Sequence, residues 1–324
     1  MSKEKFTGLD VSALSVYTDQ TTGLAKEILL GANTIKGNLV SIQYGAVGDK
    51  VALNVVKSTM YGIVSACGQF ADTGSTTLAQ STVQMCPIKF SQEICLDTLQ
   101  KYYYSYYMEK KYNTESLGSF EDVFVANKLE ATALEVDKIL WRGASSAVKY
   151  SATTGNLTLC DGFLQVAYNN SATTINGTRT AMTVANAVVV MDQVAASIAT
   201  NAPVLLDAPE VIAYLSPSDF QTYLSALRGL NLFHYDGSQE SVGVSEIMHP
   251  GAINLKVVKV NGMNGASSGQ FIVTAKENIW AVLSDESDLD FKMWYSNDWD
   301  ALRMMAKLRI GVGFYQPELV LRFN

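Results

Sequence analysis

The stretch from Phe120 to Trp141 contains no glycine and no proline. Val125, Leu129, Ala133, Val136 and Leu140 recur along it as one stripe at helical spacing. That periodicity predicts a single uninterrupted amphipathic helix. Ser119 and Asp122 give it an S-x-x-D start, and Gly143 stands just past its end as a cap. At 1.5 Å per residue the rod is roughly 33 Å long. A chain that holds such a rod must pack its other elements along it, as along a spine.

A second constraint is the corner in "VIAYLSPSDFQTYLSALRG", Val211 to Gly229. A β-rich run from Val211 to Leu215 meets Ser216, a residue type that caps helices by accepting from an orphan backbone N–H. Pro217 suits the first helical position, where its missing N–H costs nothing. Asp219 follows the cap by three residues, as in a capping box. Phe220, Tyr223, Leu224 and Leu227 then fall on one face. Ahead of this corner, a helix is expected from Thr183 to Thr200, with the stripe Val184, Val188, Met191, Ala195 and Ile198. Asn201 to Pro203 stop it. Helix, strand and helix in this order suggest an α/β layer.

Two strand-like runs, Lys50 to Val64 and Thr76 to Phe90, flank a turn-rich gap at Ala71 to Ser75. The second is polar at both parities, which does not fit a buried sheet. Together they read as a long hairpin that projects from the body and pairs outside it, or as an edge hairpin wetted on both faces. The segment 1–45 has only a weak helical period and reads as an arm. Leu96 to Tyr112 is expected to be helical, with Tyr103 and Tyr107 sharing a face, as do Tyr102 and Tyr106. Such a face suits a protein contact better than base stacking. From Ala252 onward the chain turns to strands: "INLKVVKV", "QFIVTA", "NIWAVL", "DFKMWY" and "ALRMMAKLRIGVGFYQPELVLRF".

The composition sets bounds. Charged residues make up 17% of the 324, and there are 16 tyrosines. Little charge with many tyrosines suits a chain that buries surface against partners. The formal charge of −7 argues against adhesion to nucleic acid by phosphate neutralisation. Cys67, Cys86, Cys95 and Cys160 form no C-x-x-C pair, so no disulfide is implied and a reducing compartment is expected. No apolar run marks a secretory leader or a membrane span.

Motifs that could carry chemistry are weak. "GASSG", Gly265 to Gly269, matches G-x-S-x-G around Ser267, but a strand follows where a nucleophile elbow needs a helix. His234 and His249 are the two histidines, and both read as loop residues. Gly311-Val312-Gly313 continues into a strand and is no dinucleotide turn. The acidic residues Asp285, Glu286, Asp288, Asp290, Asp298 and Asp300 could pair for glycoside hydrolysis or hold calcium. Their spacing lacks the glycine of a calcium loop, and a solvated loop is the better reading. Cofactor and metal sites are not expected.

The order of parts resembles the major capsid protein family of tailed bacteriophages, the Hong Kong 97-type fold. The polar hairpin from Lys50 to Phe90 looks like that family's E-loop, and its exit "PIKFSQEICLDTL" like the strand leading back to the body. Phe120 to Trp141 looks like the spine helix of the peripheral domain. The corner at Ser216 looks like the axial domain, and "WDALRMMAKLRIGVGFYQPELVLRF" resembles the closing strands. The resemblance implies an α+β fold with an N-terminal arm over 1–45 and an extended hairpin over 46–95. It implies a peripheral domain over 96–165 and about 281–310, and an axial domain over 166–280 and about 311–324.

It further implies a non-enzymatic shell subunit of an icosahedral virion, assembled in the host bacterial cytoplasm from pentamers and hexamers of itself. Scaffolding, portal and decoration proteins are further expected partners, and DNA would be enclosed without sequence-specific binding. Candidate inter-subunit contacts are Phe70, Asp72, Thr76, Leu78, Gln80, Thr82, Gln84, Tyr103, Tyr107, Arg228, Arg303 and Arg309. No cross-linking Lys–Asn pair is identifiable. Rival readings are an encapsulin-type compartment shell, a carbohydrate-binding or carbohydrate-active protein using Asp285 to Asp300, and a phage tail or accessory protein.

Overall fold

The computed structural model describes residues 27–46, 48–60, 74–95, 97–98, 101–102, 120–146, 148–151, 154–230, 244–284, 290–296, 298–299 and 301–323. In chain order its elements begin with α1 (Asn33–Lys36), β1 (Ser41–Ala46), β2 (Lys50–Met60), β3 (Gly74–Gln84) and β4 (Cys86–Cys95). Next come α2 (Phe120–Arg142), α3 (Phe163–Asn169), β5 (Ile175–Gly177), α4 (Ala187–Asn201), β6 (Val211–Leu215) and α5 (Pro217–Gly229). The last are β7 (Glu246–Met248), β8 (Leu255–Lys259), β9 (Phe271–Ala275), β10 (Ile279–Ser284), β11 (Asp290–Ser296), β12 (Ala301–Phe314) and β13 (Leu321–Phe323).

The expected rod is α2, and all five stripe residues from Val125 to Leu140 are buried. Gly143 is needed for a close approach rather than for a left-handed cap. A Cβ there would stand 2.3 Å from the Cys160 carbonyl oxygen and 2.6 Å from that of Ile139. Trp141, at the inner end of the rod, packs between Phe163 at 4.9 Å and Tyr214 at 5.0 Å, joining α2, α3 and β6.

The described part of the N-terminal segment lies inside this same body. Ile28, Leu29, Ala32, Ile35 and Val40 are all buried in the main core. Burial of the isoleucine, leucine and valine side chains among them is worth about 1.5–3 kcal/mol each. Two polar bolts fix the segment: Trp141 Nε1 donates to Thr34 Oγ1 at 2.7 Å, and the Tyr214 hydroxyl donates to the Leu39 carbonyl at 2.8 Å. β1 then adds parallel to β10.

Two large sheets divide the strands. One runs β1-β10-β12-β11 with β4 on the other edge of β12, and the second runs β5-β13-β9-β6-β8-β7. β6 is buried at all five positions because it lies between β9 and β8, with α5 following on its far side. β12 is the longest strand at 14 residues, and its even-numbered side chains from Leu302 to Phe314 are buried. β2 and β3 form a separate two-stranded sheet.

Three expectations are corrected. Cys86 and Cys160 form a disulfide, with 5.9 Å between their Cα atoms. They lie 74 residues apart in sequence, so no spacing could show it. The fold brings the first residue of β4 against the turn that follows α2. The run expected as one strand from Thr76 to Phe90 breaks at Met85: β3 belongs to the hairpin, whereas β4 leaves it for β12. In α4 the buried residues are Ala187, Val190, Met191, Val194 and Ile198, with Val184 exposed outside the helix. An apolar run this continuous does not set its own phase; the layer packed on it does.

Candidate assembly surface

β2 and β3 pair antiparallel through eleven registered pairs, from Lys50↔Gln84 to Met60↔Gly74. Strands of this length reach about 37 Å at 3.4 Å per residue. Their two faces differ. One face carries Val51, Leu53 and Val83, which close over the body in a small cluster with Ala46, Met85 and Val282, and Val55, which is also buried. Ser81 Oγ donates to the Phe314 carbonyl at 2.8 Å, and Lys57 pairs with Glu318. Gly311 and Gly313 of β12 make this seat. A Cβ on Gly313 would stand 2.5 Å from Val83 Cγ2, and one on Gly311 would stand 2.8 Å from Val83 Cγ1 and 2.9 Å from the Gln84 carbonyl.

The opposite face is exposed along most of its length. It carries Ala52, Asn54, Val56, Ser58 and Met60 from β2, opposite Thr82, Gln80, Leu78, Thr76 and Gly74. Leu78 is 78% exposed and Met60 81%. The polar members satisfy one another: Gln80 Nε2 donates to Asn54 Oδ1 at 3.0 Å, and Ser58 and Thr76 share a hydrogen bond of 3.3 Å. Apart from Lys50 at its root, no charge stands on this face. A neutral face mixing apolar residues with amides and hydroxyls has the makeup of a protein contact. The outer backbone edges of β2 and β3 have no strand partner among the described residues. An isolated two-stranded hairpin is only marginally stable in water, so the arm needs its seat on the body.

Thr76, Leu78, Gln80, Thr82 and Gln84 therefore share one exposed face. Arg228 is exposed in the last turn of α5. Arg303 is engaged within the chain: its Nε donates to Glu93 Oε2 at 2.7 Å, and its guanidinium lies over Trp299. Arg309 lies 3.5 Å from Asp49. Phe70, Asp72, Tyr103 and Tyr107 fall outside the described residues, as do His234 and the acidic residues Asp285, Glu286, Asp288 and Asp300. Asp290 bridges Lys292 at 3.1 Å and lies 4.0 Å from Lys307.

The axial corner is built as its residue types require. Ser216 Oγ accepts from the Asp219 N–H at 3.2 Å, and Pro217 opens the helix. Asp219 does not reach back to the cap. Its buried carboxylate accepts from Ser268 Oγ at 2.7 Å and from the Gly269 N–H at 2.9 Å. The "GASSG" loop is thereby stapled to the helix start, and Gly269 at φ +79° passes against the Thr180 carbonyl. Ser267 stands in this turn with its N–H given to Gln270, an arrangement of a turn and not of a nucleophile elbow.

Sequence reasoning missed two buried polar joints. His249 is buried between α4 and α5: its Nδ1 shares a hydrogen bond of 2.8 Å with the Tyr223 hydroxyl, and its Nε2 one of 3.0 Å with Asp192. Burial pushes its pKa below 6.5, against the pull of Asp192. Asp137 of α2 is buried and accepts from the Thr34 N–H at 2.9 Å. Burial raises its pKa, against hydrogen bonds from Thr34 and Gly262. Asp137 continues the Ala133 stripe at i+4, which was the available signal. Nothing near His249 in sequence marks its partners. Among the described residues no group of three His, Cys, Asp or Glu is placed to hold a metal ion.

With an arm, a spine helix, an axial corner and closing strands in this order, the chain has the Hong Kong 97-type fold of capsid proteins. No protein-family model and no curated protein sequence matches it. Among solved structures it is similar to a satellite phage P4 procapsid chain, at 14% identity and a TM-score of 0.57, covering 93% of this chain and 98% of that one. A chain of Gordonia phage Cozz matches at 9% identity and a TM-score of 0.53, covering 90% and 86%. A virus-like particle from Pyrococcus furiosus matches at 10% identity and a TM-score of 0.50, covering 94% and 100%.

Proposed function

We propose that this chain is the major capsid subunit of a phage head: a structural protein without catalytic activity that closes into an icosahedral shell around double-stranded DNA. The observation that carries this reading is the arm. One face of β2–β3 is seated on the body, the other is neutral and largely exposed, and neither outer edge has a strand partner among the described residues. Strand edges and alternating side chains are what a neighbouring copy can complete. Closed symmetry then spreads association over many modest contacts, so none need be strong. Pentamers and hexamers of the chain would be the building units, formed in the host bacterial cytoplasm, with scaffolding, portal and decoration proteins as further partners. The hairpin of β2 and β3, the spine-helix domain and the axial domain would divide the labour between reaching a neighbour, bracing the subunit and packing around an axis. A net charge of −7 leaves the enclosed DNA unbound in sequence and loosely held.

The test is electron microscopy and light scattering of the expressed protein, with Leu78→Asp beside it. The wild type is expected to give uniform closed spheres. The variant places a charge on the uncovered face and is expected to remain folded and unassembled. A wild type that stays monomeric at high concentration, or a variant that still forms spheres, overturns the reading. The match to the Pyrococcus particle favours a second reading, a compartment shell of the same fold. Particle contents separate the two: DNA for a head, protein cargo for a compartment.

A further inference from the structure

The Cys86–Cys160 disulfide stands at one particular place, the root of the arm. Cys86 follows Met85, whose N–H donates to the Asp49 carbonyl at 2.8 Å and closes the hairpin's base. Two residues before Cys86 the arm has ended, and from Cys86 onward the chain is bound to β12, beginning with Ile310. Cys86 is thus the hinge between a projecting element and a fixed one.

Cys160 is the opposite. It is buried, and its carbonyl lies against Gly143, behind the end of the spine helix. The Gly162 N–H donates to the Gly143 carbonyl at 2.8 Å. The next residue, Asp161, accepts from the N–H and the hydroxyl of both Ser145 and Ser146, at 2.6 to 3.1 Å. Burial pushes the Asp161 pKa up, but these four hydrogen bonds outweigh it and hold the carboxyl below its ordinary value. One sulfur is therefore anchored to the spine whatever its redox state, and the other stands on the first residue of β4, two residues past the end of the arm at Gln84.

The bond is also within reach of solutes. A cavity of about 430 Å³ opens beside it, lined by Thr82 and Gln84 of the arm and by Cys86, Cys160, Asp161 and Asn169 of the body. The cavity is bounded on one side by the arm and on the other by the anchored turn, so its width depends on how the arm is held.

We propose that Cys86 and Cys160 form a redox latch that sets the arm's mobility: open as two thiols under reducing conditions, closed as a disulfide on exposure to an oxidant. Closure breaks two S–H bonds and forms one S–S bond, releasing two protons and two electrons. Dissolved oxygen takes both to give hydrogen peroxide, or a small-molecule disulfide takes them by exchange to give two thiols. In a shell subunit the arm can then seek its neighbour while mobile and be fixed afterwards, outside the cell. That consequence rests on the capsid reading, whereas the latch itself does not.

The experiment is hydrogen exchange of the full chain, reduced with dithiothreitol and reoxidised with glutathione disulfide, alongside Cys86→Ser and Cys160→Ser. Peptide mapping under non-reducing conditions is expected to find the Cys86–Cys160 cross-link and a mass lower by two hydrogens. Amides of β2 and β3 are expected to exchange at least several-fold faster in the reduced protein and in both variants, with those of α2 unchanged. Reoxidation is expected to restore the slow rate in the wild type only. Arm exchange that is identical in the two redox states overturns the proposal, as does failure of the cross-link to form under oxidant. These readouts use single chains, so they stand even if no particle forms. Particle yield, measured separately, reports on the capsid reading.

Discussion

Replacing both Gly311 and Gly313 by alanine tests how the arm is aimed. The two new Cβ atoms would lie 2.5 to 2.9 Å from Val83, the Gln84 carbonyl and Met85 Sδ. Ordinary carbon contacts are about 3.5–4.0 Å, so the root of β3 must lift by about 1 Å. Overpacking of this kind costs about 1–3 kcal/mol, partly offset by the ~0.5–1 kcal/mol that alanine gains over glycine in a strand. Both methyl groups meet the same Val83, so the two overpacking costs do not add, and after the offset a net loss of at most about 2 kcal/mol is expected. Geometry amplifies it. A lift of ~1 Å at Val83, pivoting at Met85 some ~7 Å away, swings the far end of an arm of ~37 Å by about 5 Å. That equals a whole inter-strand spacing, so pairing with a neighbour is lost while the body survives. Thermal unfolding of isolated subunits should show the modest loss, and light scattering should show almost no particles. Gly229→Ala, where a Cβ meets nothing within 4 Å, is the control and should assemble normally. If the double variant yields particles like the wild type, the reasoning about the seat is wrong.

Asp219→Ala leaves the Ser268 hydroxyl proton and the Gly269 N–H without an acceptor near a buried helix start, although Ser268 Oγ still accepts from the Met182 N–H, and should cost about 1–3 kcal/mol in denaturant unfolding. Asp137→Ala strands the Thr34 N–H in the core and should cost about 1–3 kcal/mol, with Asp137→Asn milder because it keeps an acceptor. His249 has a folded pKa below its ordinary 6.5, so the unfolded chain takes up the proton first. Its contribution to stability is complete above pH 6.5 and declines as pH falls through 6.5 toward the folded value. Stability curves of wild type and His249→Gln between pH 5 and 8 should show the smaller slope in the variant; parallel curves would refute the assignment.

What was legible in the sequence follows from which forces are local. α2 and the Ser216 corner were readable because periodicity, a cap, a proline and a glycine act within a few residues. The arm was readable because its polar positions at both parities contradict a buried sheet. That only one of its faces is free was not, since the seat is made by Gly311 and Gly313, far along the chain. The same holds for the Cys86–Cys160 bond, for Asp192 and Tyr223 around His249, and for β1 beside β10. Each depends on a partner that no spacing encodes. Within α4, valine and alanine hold eight of the fifteen positions and fall on every side of the helix, which left the phase to be chosen by the layer packed on it.

β12 has a mechanical consequence. Following the chain backwards from Phe314 to Ala301, it meets first Ser81 and Val83 of the arm and then, without a break, all ten residues of β4. A tug along the arm therefore drags one strand lengthwise past the other. In that geometry the backbone bonds share the load and fail together, unlike the sequential peeling of a strand pulled sideways. Tension arriving at the tip is carried into β12, the middle of the five-stranded sheet, and so is spread over the strands on both its sides.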